Sequence, residues 1–368
     1  MMKPAISTTQ TVALIQSAIA PTMVLAIPSV MVSIAQHDAW ISGVIAGIVG
    51  LLMALIIAAI SKANKGQYFV EWLEGRLGKP IGIAIGIMFG IYYFNNFCVI
   101  VRVFANFVSD MVLDETPLFM LVGMMVVVTV FTVLQGIEAI ARSAFMVLLL
   151  ILIVVPVSVF ILYTDIDFKR LIPVFDTSAA RMAVASLPPI ALLSEVSVLL
   201  ILTPFMKKPA SAIRAGLFGS LLSSSQLLLV ILLALTIFGP QLVPMLSYTF
   251  VNVMAIVEVG EFLERIEIFT VSVWFLTMYI KLTVFLFAGV HCLTHSLRLK
   301  SKHHVLLGLG LLAFVTSAGE WPRNLESGYK NLANMPQLLL INVGLPILIA
   351  LGLLVTRGKR KQGGKQRS

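Results

Sequence analysis

The sequence contains about ten apolar stretches that are each long enough to cross, as a helix, the hydrocarbon core of a bilayer, which is roughly 30 Å thick. Hydrophobic residues make up 59% of the chain and charged residues 12%, a composition that no soluble core requires. The sequence therefore predicts an all-α membrane protein with ten transmembrane helices, here called spans one to ten. They lie at approximately 9–34, 40–61, 81–109, 117–136, 143–163, 182–205, 212–238, 266–297, 305–319 and 336–356.

Charge alternates between the loops on the two sides of these spans. Lysine and arginine concentrate in cytoplasmic loops of membrane proteins, and here they cluster before span one, after each even-numbered span and in the tail 357–368. We therefore expect a multi-pass integral membrane domain over 1–368, with both termini and the basic tail 357–368 in the cytoplasm. The net charge of +9 follows from this topology and does not indicate nucleic-acid binding. The tail is expected to contact anionic membrane lipid.

Prolines interrupt corresponding spans in the two halves of the chain. Repeat one covers about 9–163 and repeat two about 182–356. Pro21 and Pro28 lie in span one, the first span of repeat one, and Pro188 and Pro189 lie in span six, the first span of repeat two. Proline removes a backbone donor and frees carbonyl groups, and transporters with inverted repeats bind their substrates at such interruptions. The pattern predicts a 5+5 inverted repeat with discontinuous helices 1 and 6. The alternative is kinking that serves helix packing alone.

Two opposite charges, Glu195 and Lys281, lie deep within spans six and eight. A charge at the bilayer centre costs at least about 2.5–3.5 kcal/mol and usually marks a substrate, ion or proton site. The two are natural partners if these spans are adjacent. The pair has two alternative roles: it only fixes helix register, or Glu195 exchanges a proton during a transport cycle. Arg102, toward the outer end of span three, is expected to bridge to Asp110 or to face the outer vestibule.

Polar residues recur at helical spacing in two spans, which predicts faces turned away from lipid. The face of span three comprises Tyr92, Asn95, Asn96, Arg102 and Asn106, and that of span eight Thr270, Trp274, Thr277 and Lys281. Between spans two and three, residues 66–79 predict a short amphipathic helix lying in the membrane interface. We find no nucleophile, phosphate-binding or metal-ligand motif, so the sequence predicts neither an enzyme nor a metal or cofactor site.

Several local strings occur in the order found in one family. They are Asp38-Ala39-Trp40-Ile41-Ser42, Thr116-Pro117, Asp165-Ile166-Asp167, Leu171-Ile172-Pro173-Val174, Glu195, Pro204-Phe205-Met206-Lys207-Lys208-Pro209, Phe262-Leu263-Glu264-Arg265, Trp274 and Ile280-Lys281. Together they resemble the spore germination permeases, the B-type membrane subunits of nutrient germinant receptors in endospore-forming bacteria. The chain departs from the family at Pro21-Thr22-Met23, where a glycine and a small residue are common, and at Leu192-Leu193-Ser194, where Pro-Phe-Gly is frequent.

The resemblance implies a branch of the amino acid–polyamine–organocation transporter superfamily, with spans one and six broken at midplane. It further implies a small nutrient ligand, usually an amino acid, whose binding triggers germination. The implied partners are an A-type receptor subunit and a C-type lipoprotein in the inner membrane of the spore.

On this basis we expect a zwitterionic ligand at midplane, with its carboxylate toward backbone donors of span one near Pro21 to Met23 and its ammonium toward carbonyls freed around 187–194. Glu195, Lys281 and Arg102 would form the charge pair or gate that sets the conformational equilibrium. The expected ligand-binding residues are Pro21, Thr22, Met23, Asn95, Val99, Ser194, Glu195, Leu199 and Thr277. Two alternative functions remain: an ion-coupled amino acid transporter, and a structural scaffold of the receptor complex that binds no ligand.

Overall fold

The computed structural model describes residues 6–256, 266–319 and 335–354, without the side chains of 266–268. Within these ranges the chain is helical almost throughout. The predicted basic tail 357–368, the family string 262–265 and residues 355–356 of span ten lie outside the described residues.

The helices follow the predicted spans closely. The first half contains α1 (Thr8–Ala35), α2 (Ala39–Asn64), α3 (Phe69–Leu77), α4 (Lys79–Met111), α5 (Leu118–Leu134) and α6 (Ile137–Ile161). The second half contains α7 (Ala179–Leu193), α8 (Leu199–Leu202), α9 (Ala212–Leu242), α10 (Thr249–Met254), α11 (Ile266–Ser296), α12 (Lys302–Ala318) and α13 (Met335–Leu354). α7 and α8 together form span six, while α3 and α10 are too short to cross a membrane.

Seven helical stretches in the described part of the chain are long and apolar enough to span a bilayer. The first of these stretches, Thr8–Asn64, contains two crossings, α1 and α2. Outside the seven stretches, two shorter apolar helices, α5 and α12, have 17 residues each. At 1.5 Å per residue, a helix of this length reaches about 26 Å, close to the thickness of the hydrocarbon core. These helices give the ten crossings predicted from the sequence.

The two proline-containing spans differ in continuity. Span six is broken: α7 ends at Leu193, and a 3-10 segment, Ser194–Val198, separates it from α8. Pro188 and Pro189 lie inside α7, so the break follows them by several residues. The expectation of a discontinuous span one is wrong for this conformation, because α1 runs unbroken from Thr8 to Ala35 through both of its prolines. Neighbouring helices can supply partners for backbone groups near a proline, and the Nε1 of Trp274 donates to the Pro21 carbonyl at 2.9 Å.

α1 lies at the centre of the bundle, in contact with α6, α7, α9 and α11. Glycines allow the closest helix approaches. A Cβ atom added at Gly219 of α9 would lie 2.6 Å from Cγ2 of Ile15 in α1, and one at Gly90 of α4 would lie 2.7 Å from Cγ of Leu293 in α11. At such distances a side chain would force its neighbours to move, so Gly219 allows the close approach of α9 to α1, and Gly90 that of α4 to α11.

The predicted amphipathic helix between spans two and three is α3. Its apolar residues Phe69, Val70, Trp72 and Leu73 are buried against the bundle. The two acids of α3 reach the end of span eight, with Glu71 Oε1 3.0 Å from His295 Nδ1 and Glu74 Oε2 2.8 Å from Arg298 Nη2. α3 is therefore attached to α11 at the end of the bundle that carries Lys62, Lys65, Arg76, Lys79, Lys207, Lys208, Arg298, Lys300 and Lys302, here called the basic end.

A short parallel bridge joins the first described residue to the end of span six. The Ile6 N–H donates to the Phe205 carbonyl at 2.8 Å, and the Lys207 N–H donates to the Ile6 carbonyl at 2.9 Å. Just beyond this bridge, Ser7 caps α1 by accepting a hydrogen bond from the Gln10 N–H. The basic ends of spans one and six are thereby held together.

Candidate functional site at the break in span six

The break in span six places Glu195 in the centre of the bundle, facing Lys281 in the middle of α11. The Nζ atom of Lys281 lies 2.7 Å from Oε2 of Glu195 and donates a second hydrogen bond of 2.7 Å to Oγ1 of Thr22 in α1. Both charged side chains are completely buried. The ion pair hypothesised from the sequence is therefore present, and it joins spans one, six and eight at one point.

Two polar atoms at the break have no hydrogen-bond partner among the residues that the structure describes. They are Oε1 of Glu195 and the hydroxyl oxygen of Ser194, and both residues have no exposed surface. Buried polar atoms in proteins are nearly always hydrogen-bonded, because an unpaired one loses its interactions with water without compensation. The site thus retains unused hydrogen-bonding capacity next to a complete ion pair.

A second polar network lies beside the ion pair and reaches span ten. The hydroxyl of Ser197, in the same 3-10 segment as Glu195, lies 2.9 Å from the Tyr93 hydroxyl and donates to Oδ1 of Asn342 at 3.1 Å. Asn342 in turn donates to the Tyr92 hydroxyl at 2.6 Å and to the Ala191 carbonyl at 3.3 Å. The broken segment is therefore coupled to spans three and ten by buried hydrogen bonds.

Asn342 was missed in the sequence reasoning, although it is fully buried and central to this network. It lies in a π-helical turn, Leu340–Gly344, within α13. Single π-turns inside α-helices are frequent at functional sites. The sequence signal was an amide in the middle of an apolar stretch, which does not reveal the turn or the partners.

The structure brings some of the expected ligand residues together and separates others. Thr22, Ser194, Glu195 and Lys281 form the site described above. Met23 and Leu199 are fully buried, Val99 is partly buried, and the Thr277 hydroxyl donates to the carbonyls of its own helix at Val273 and Trp274.

The expectation that Asn95 shares the buried face of span three is wrong, because its side chain is exposed on the outside of α4. Its neighbour Asn96 is buried instead and donates to the Tyr92 carbonyl at 2.9 Å. Asn95 therefore lies outside the candidate site.

Arg102 does not form the expected bridge to Asp110. Its Nη1 donates to the carbonyls of Ser317 and Gly319, at 3.1 and 2.7 Å, and so ties α4 to the end of α12. Asp110 instead accepts a 2.8 Å hydrogen bond from the Tyr248 hydroxyl. Burial and the adjacent Asp110 carboxylate both raise the pKa of Tyr248, which keeps this hydroxyl protonated as the donor. Arg102 thus has a position that suits helix attachment rather than the ion pair.

A cavity of about 60 Å³ lies between α1, α6, α9 and α11. The described residues of its walls are mostly apolar and none is charged; Pro21 and Thr277 of the expected ligand residues are among them. At one wall, Gln16 Nε2 donates to Gln226 Oε1 at 2.9 Å. Trp274 also lines this cavity, and its indole donates to the carbonyl of Pro21, the residue before Thr22.

At the end opposite the basic end, Asp38 holds the loop that follows span five. This carboxylate is fully buried and accepts hydrogen bonds from the N–H groups of Phe175 and Thr177, at 2.7 and 2.8 Å. The Thr177 hydroxyl also donates to the Ala35 carbonyl at 2.9 Å. The loop is thereby attached to the end of α1.

Comparisons with known proteins agree with this architecture. A family described as spore germination protein matches residues 5–323 of the chain. Spore germination protein YndE of Bacillus subtilis (strain 168) is 23% identical over 345 residues, covering 93% of both chains. Spore germination protein B2 of the same organism is 24% identical over 349 residues, covering 92% of this chain and 93% of its own.

Two solved transporter structures share the fold. One is Mhp1, a nucleobase-cation-symport-1 family transporter in a closed conformation with bromovinylhydantoin bound; it has a TM-score of 0.67 and 12% identity, over 95% of this chain and 78% of its own. The other is a Na⁺-coupled sialic acid symporter in a substrate-bound, outward-open state, with a TM-score of 0.63, 13% identity and the same coverage. The chain therefore belongs to the spore germination protein family and is a permease-like membrane protein with the fold of these transporters.

Proposed function

We propose that this chain is the membrane subunit of a nutrient germinant receptor and that it binds a small nutrient of the amino-acid class at the break in span six. The observation that carries the proposal is the fully buried pair of Glu195 and Lys281 beside the unused Oε1 of Glu195 and hydroxyl of Ser194. Binding would trigger germination of the spore.

A zwitterion is complementary to this site because it carries one charge of each sign. Its ammonium would donate to Glu195 and Ser194, and its carboxylate would accept from Lys281 and Thr22. This differs from the expectation that backbone donors of span one hold the carboxylate. In the continuous α1, the N–H groups of Thr22 and Met23 face carbonyls one turn earlier in their own helix.

Ligand binding at this position requires the ion pair to separate, because its two atoms are in direct contact at 2.7 Å. The pair would satisfy both charges in the unliganded protein, and the ligand would replace each partner with one of its own groups. Separation would shift the 3-10 segment Ser194–Val198 relative to α11 and would strain the bonds from Ser197 to Tyr93 and Asn342. The ligand can shift this equilibrium only by its differential affinity for the two arrangements.

The proposal includes partners and location. We propose assembly with an A-type subunit and a C-type lipoprotein in the spore inner membrane, with both termini in the cytoplasm. The family membership and the transporter fold support a receptor of this kind.

The direct test is ligand binding by the purified protein. We would measure thermal unfolding of the detergent-solubilised chain with each of the common L-amino acids, and compare the wild type with Glu195→Gln. We expect stabilisation by a small subset of amino acids and its loss in the variant. Decarboxylated and deaminated analogues of the active compound should each fail. If no amino acid changes the unfolding temperature or the germination of spores that carry the chain, the proposal is wrong.

A second candidate is an ion-coupled amino acid transporter, favoured by the similarity to two solute symporters. Uptake by proteoliposomes distinguishes the two functions. A transporter accumulates the ligand inside the vesicles when an ion gradient is imposed, whereas a receptor binds the ligand without accumulating it. A structural scaffold, the third alternative, predicts that substitutions at Glu195 alter the abundance of the partner subunits without changing ligand specificity.

A further inference from the structure

A groove of about 260 Å³ opens at the basic end of the bundle, between α2, α3 and the last turns of α13. Its walls are formed by Ile56 and Ile60 of α2 and by Leu353 and Leu354 of α13. Trp72 and Arg76 of α3 lie at its polar end. The groove therefore combines an apolar channel along two membrane helices with a guanidinium group on the interfacial helix.

The charges of α3 are distributed unevenly. Both of its acids, Glu71 and Glu74, are bonded to the end of α11. Arg76 is exposed and has no acidic partner among the described residues. Lys62, Lys65 and Lys79, which flank α3 in the sequence, are also exposed, so Arg76 adds to the positive charge of the basic end, where the groove opens.

We propose that this groove binds an anionic phospholipid, with the lipid phosphate at Arg76 and one acyl chain between α2 and α13. Basic pockets between membrane helices suit lipid phosphates, and an arginine can bond a phosphate through two parallel N–H groups. The apolar walls suit an acyl chain for the same reason that they suit the bilayer core. This site is separate from the ion pair in the centre of the bundle.

Charge also argues against the nearest alternative occupant, the tail that follows Leu354. That tail contains Arg357, Lys359, Arg360, Lys361, Lys365 and Arg367 and no acid. It would be repelled by Arg76 and would add to the positive charge around the groove. An anionic headgroup is complementary to both.

The test uses the full-length protein purified in detergent, with bound lipid counted by native mass spectrometry. Phosphatidylglycerol is compared with phosphatidylcholine carrying the same acyl chains. We expect preferential retention of phosphatidylglycerol, and Arg76→Gln should weaken it about fivefold, the effect of losing one cation near a lipid surface. Arg142→Gln is the matched control, because Arg142 is exposed near the basic end but is bonded to Glu138. Equal losses of phosphatidylglycerol binding in Arg76→Gln and Arg142→Gln would overturn the proposal.

A second pair of variants tests the acyl-chain channel without changing charge. Ala59 lines the groove and is exposed, so Ala59→Trp should fill it and reduce phosphatidylglycerol binding. Leu52→Trp is the control, since Leu52 is 54% exposed on the same helix and is not part of the groove. Competition by glycerol phosphate at equal concentration would indicate a soluble phosphate site and would overturn the lipid proposal. If Ala59→Trp leaves lipid binding unchanged but removes receptor subunits that otherwise co-purify, the groove is a protein interface and the lipid proposal is wrong.

Discussion

The Nζ atom of Lys281 lies 2.7 Å from Oε2 of Glu195, although the two residues are 86 positions apart and neither side chain has exposed surface. Each charge is compensated mainly by the other, with Thr22 as the additional acceptor for Lys281. The folded protein should therefore be stable when both charges are present or both are absent, and destabilised when only one of them is present.

Single neutralisations at the pair should be more damaging than the double one. Glu195→Gln and Lys281→Met each leave one buried charge unpaired, which typically costs about 3–5 kcal/mol, whereas removing both charges is often close to neutral. We expect low levels of each single variant in spore membranes and recovered levels of the double variant, measured by immunoblot and thermal unfolding. Spores that carry the double variant should still fail to germinate in response to the nutrient. A double variant that responds normally would contradict the proposed ligand contacts.

Ser194→Ala should separate stability from ligand response. The Ser194 hydroxyl is buried without a partner among the described residues, so its removal should leave the unfolding temperature unchanged or raise the stability by about 1 kcal/mol. The nutrient concentration for half-maximal germination should increase, because the ligand loses an acceptor. Ser186→Ala is the control, since the Ser186 hydroxyl bonds to the Ala183 carbonyl on the preceding turn. Equal ligand responses in both variants would contradict the proposed contact.

Asn342→Leu should destabilise the protein by disconnecting span ten from the break. The substitution leaves Ser197, Tyr92 and the Ala191 carbonyl without their bonds to Asn342, and each unsatisfied buried group costs about 1–3 kcal/mol. Some of this cost will be offset where the tyrosine and serine hydroxyls find other partners. We expect a lower unfolding temperature and a weakened germination response. An unchanged response would show that span ten does not participate in coupling.

Gly219→Ala should be strongly destabilising, whereas Gly308→Ala should not. A Cβ at Gly219 would lie 2.6 and 2.7 Å from two side-chain atoms of Ile15, and overpacking of this kind costs about 1–3 kcal/mol. Gly308 of α12 has no atom within 4 Å of the added Cβ, and alanine is favoured over glycine in a helix. Thermal unfolding of the two variants in the same detergent provides the comparison. Equal effects would contradict the close contact of α1 with α9.

Asp38→Asn should release the loop that follows span five. An asparagine has one acceptor oxygen in place of two, so it can satisfy only one of the N–H groups of Phe175 and Thr177, and its amide hydrogens face the other. We expect faster proteolysis within 165–178 while the remaining bundle stays folded. Asp167→Asn is a suitable control because Asp167 is partly exposed and caps only a local turn. Similar cleavage rates in the two variants would contradict the anchoring role of Asp38.

The sequence predicted those features that follow from the physics of a bilayer. A helix must be long and apolar to cross hydrocarbon, so the ten spans were readable with nearly correct limits. A buried acid and a buried base each require compensation, so Glu195 and Lys281 were readable as partners. The buried apolar face of α3 was evident from its spacing.

Features that depend on neighbours in the folded structure could not be predicted from the sequence. Asn95 lies two residues after Tyr93, which is fully buried, and a rotation of about 200° places it on the opposite side of the helix. Proline alone did not locate the break: α1 passes through both of its prolines, while span six breaks after Leu193. Arg102 donates to the backbone carbonyls of Ser317 and Gly319 at the end of α12, and carbonyls leave no signature in the amino-acid sequence.

The two hydrogen bonds between Ile6 and the chain around Met206 bear on how the first and sixth spans can move. They join the ends of these spans on one side of the bundle, so any motion that separates the two ends must first break both bonds. A disulfide engineered between positions 6 and 206 would make this attachment permanent, and a ligand response that survives it would show that the two ends need not part.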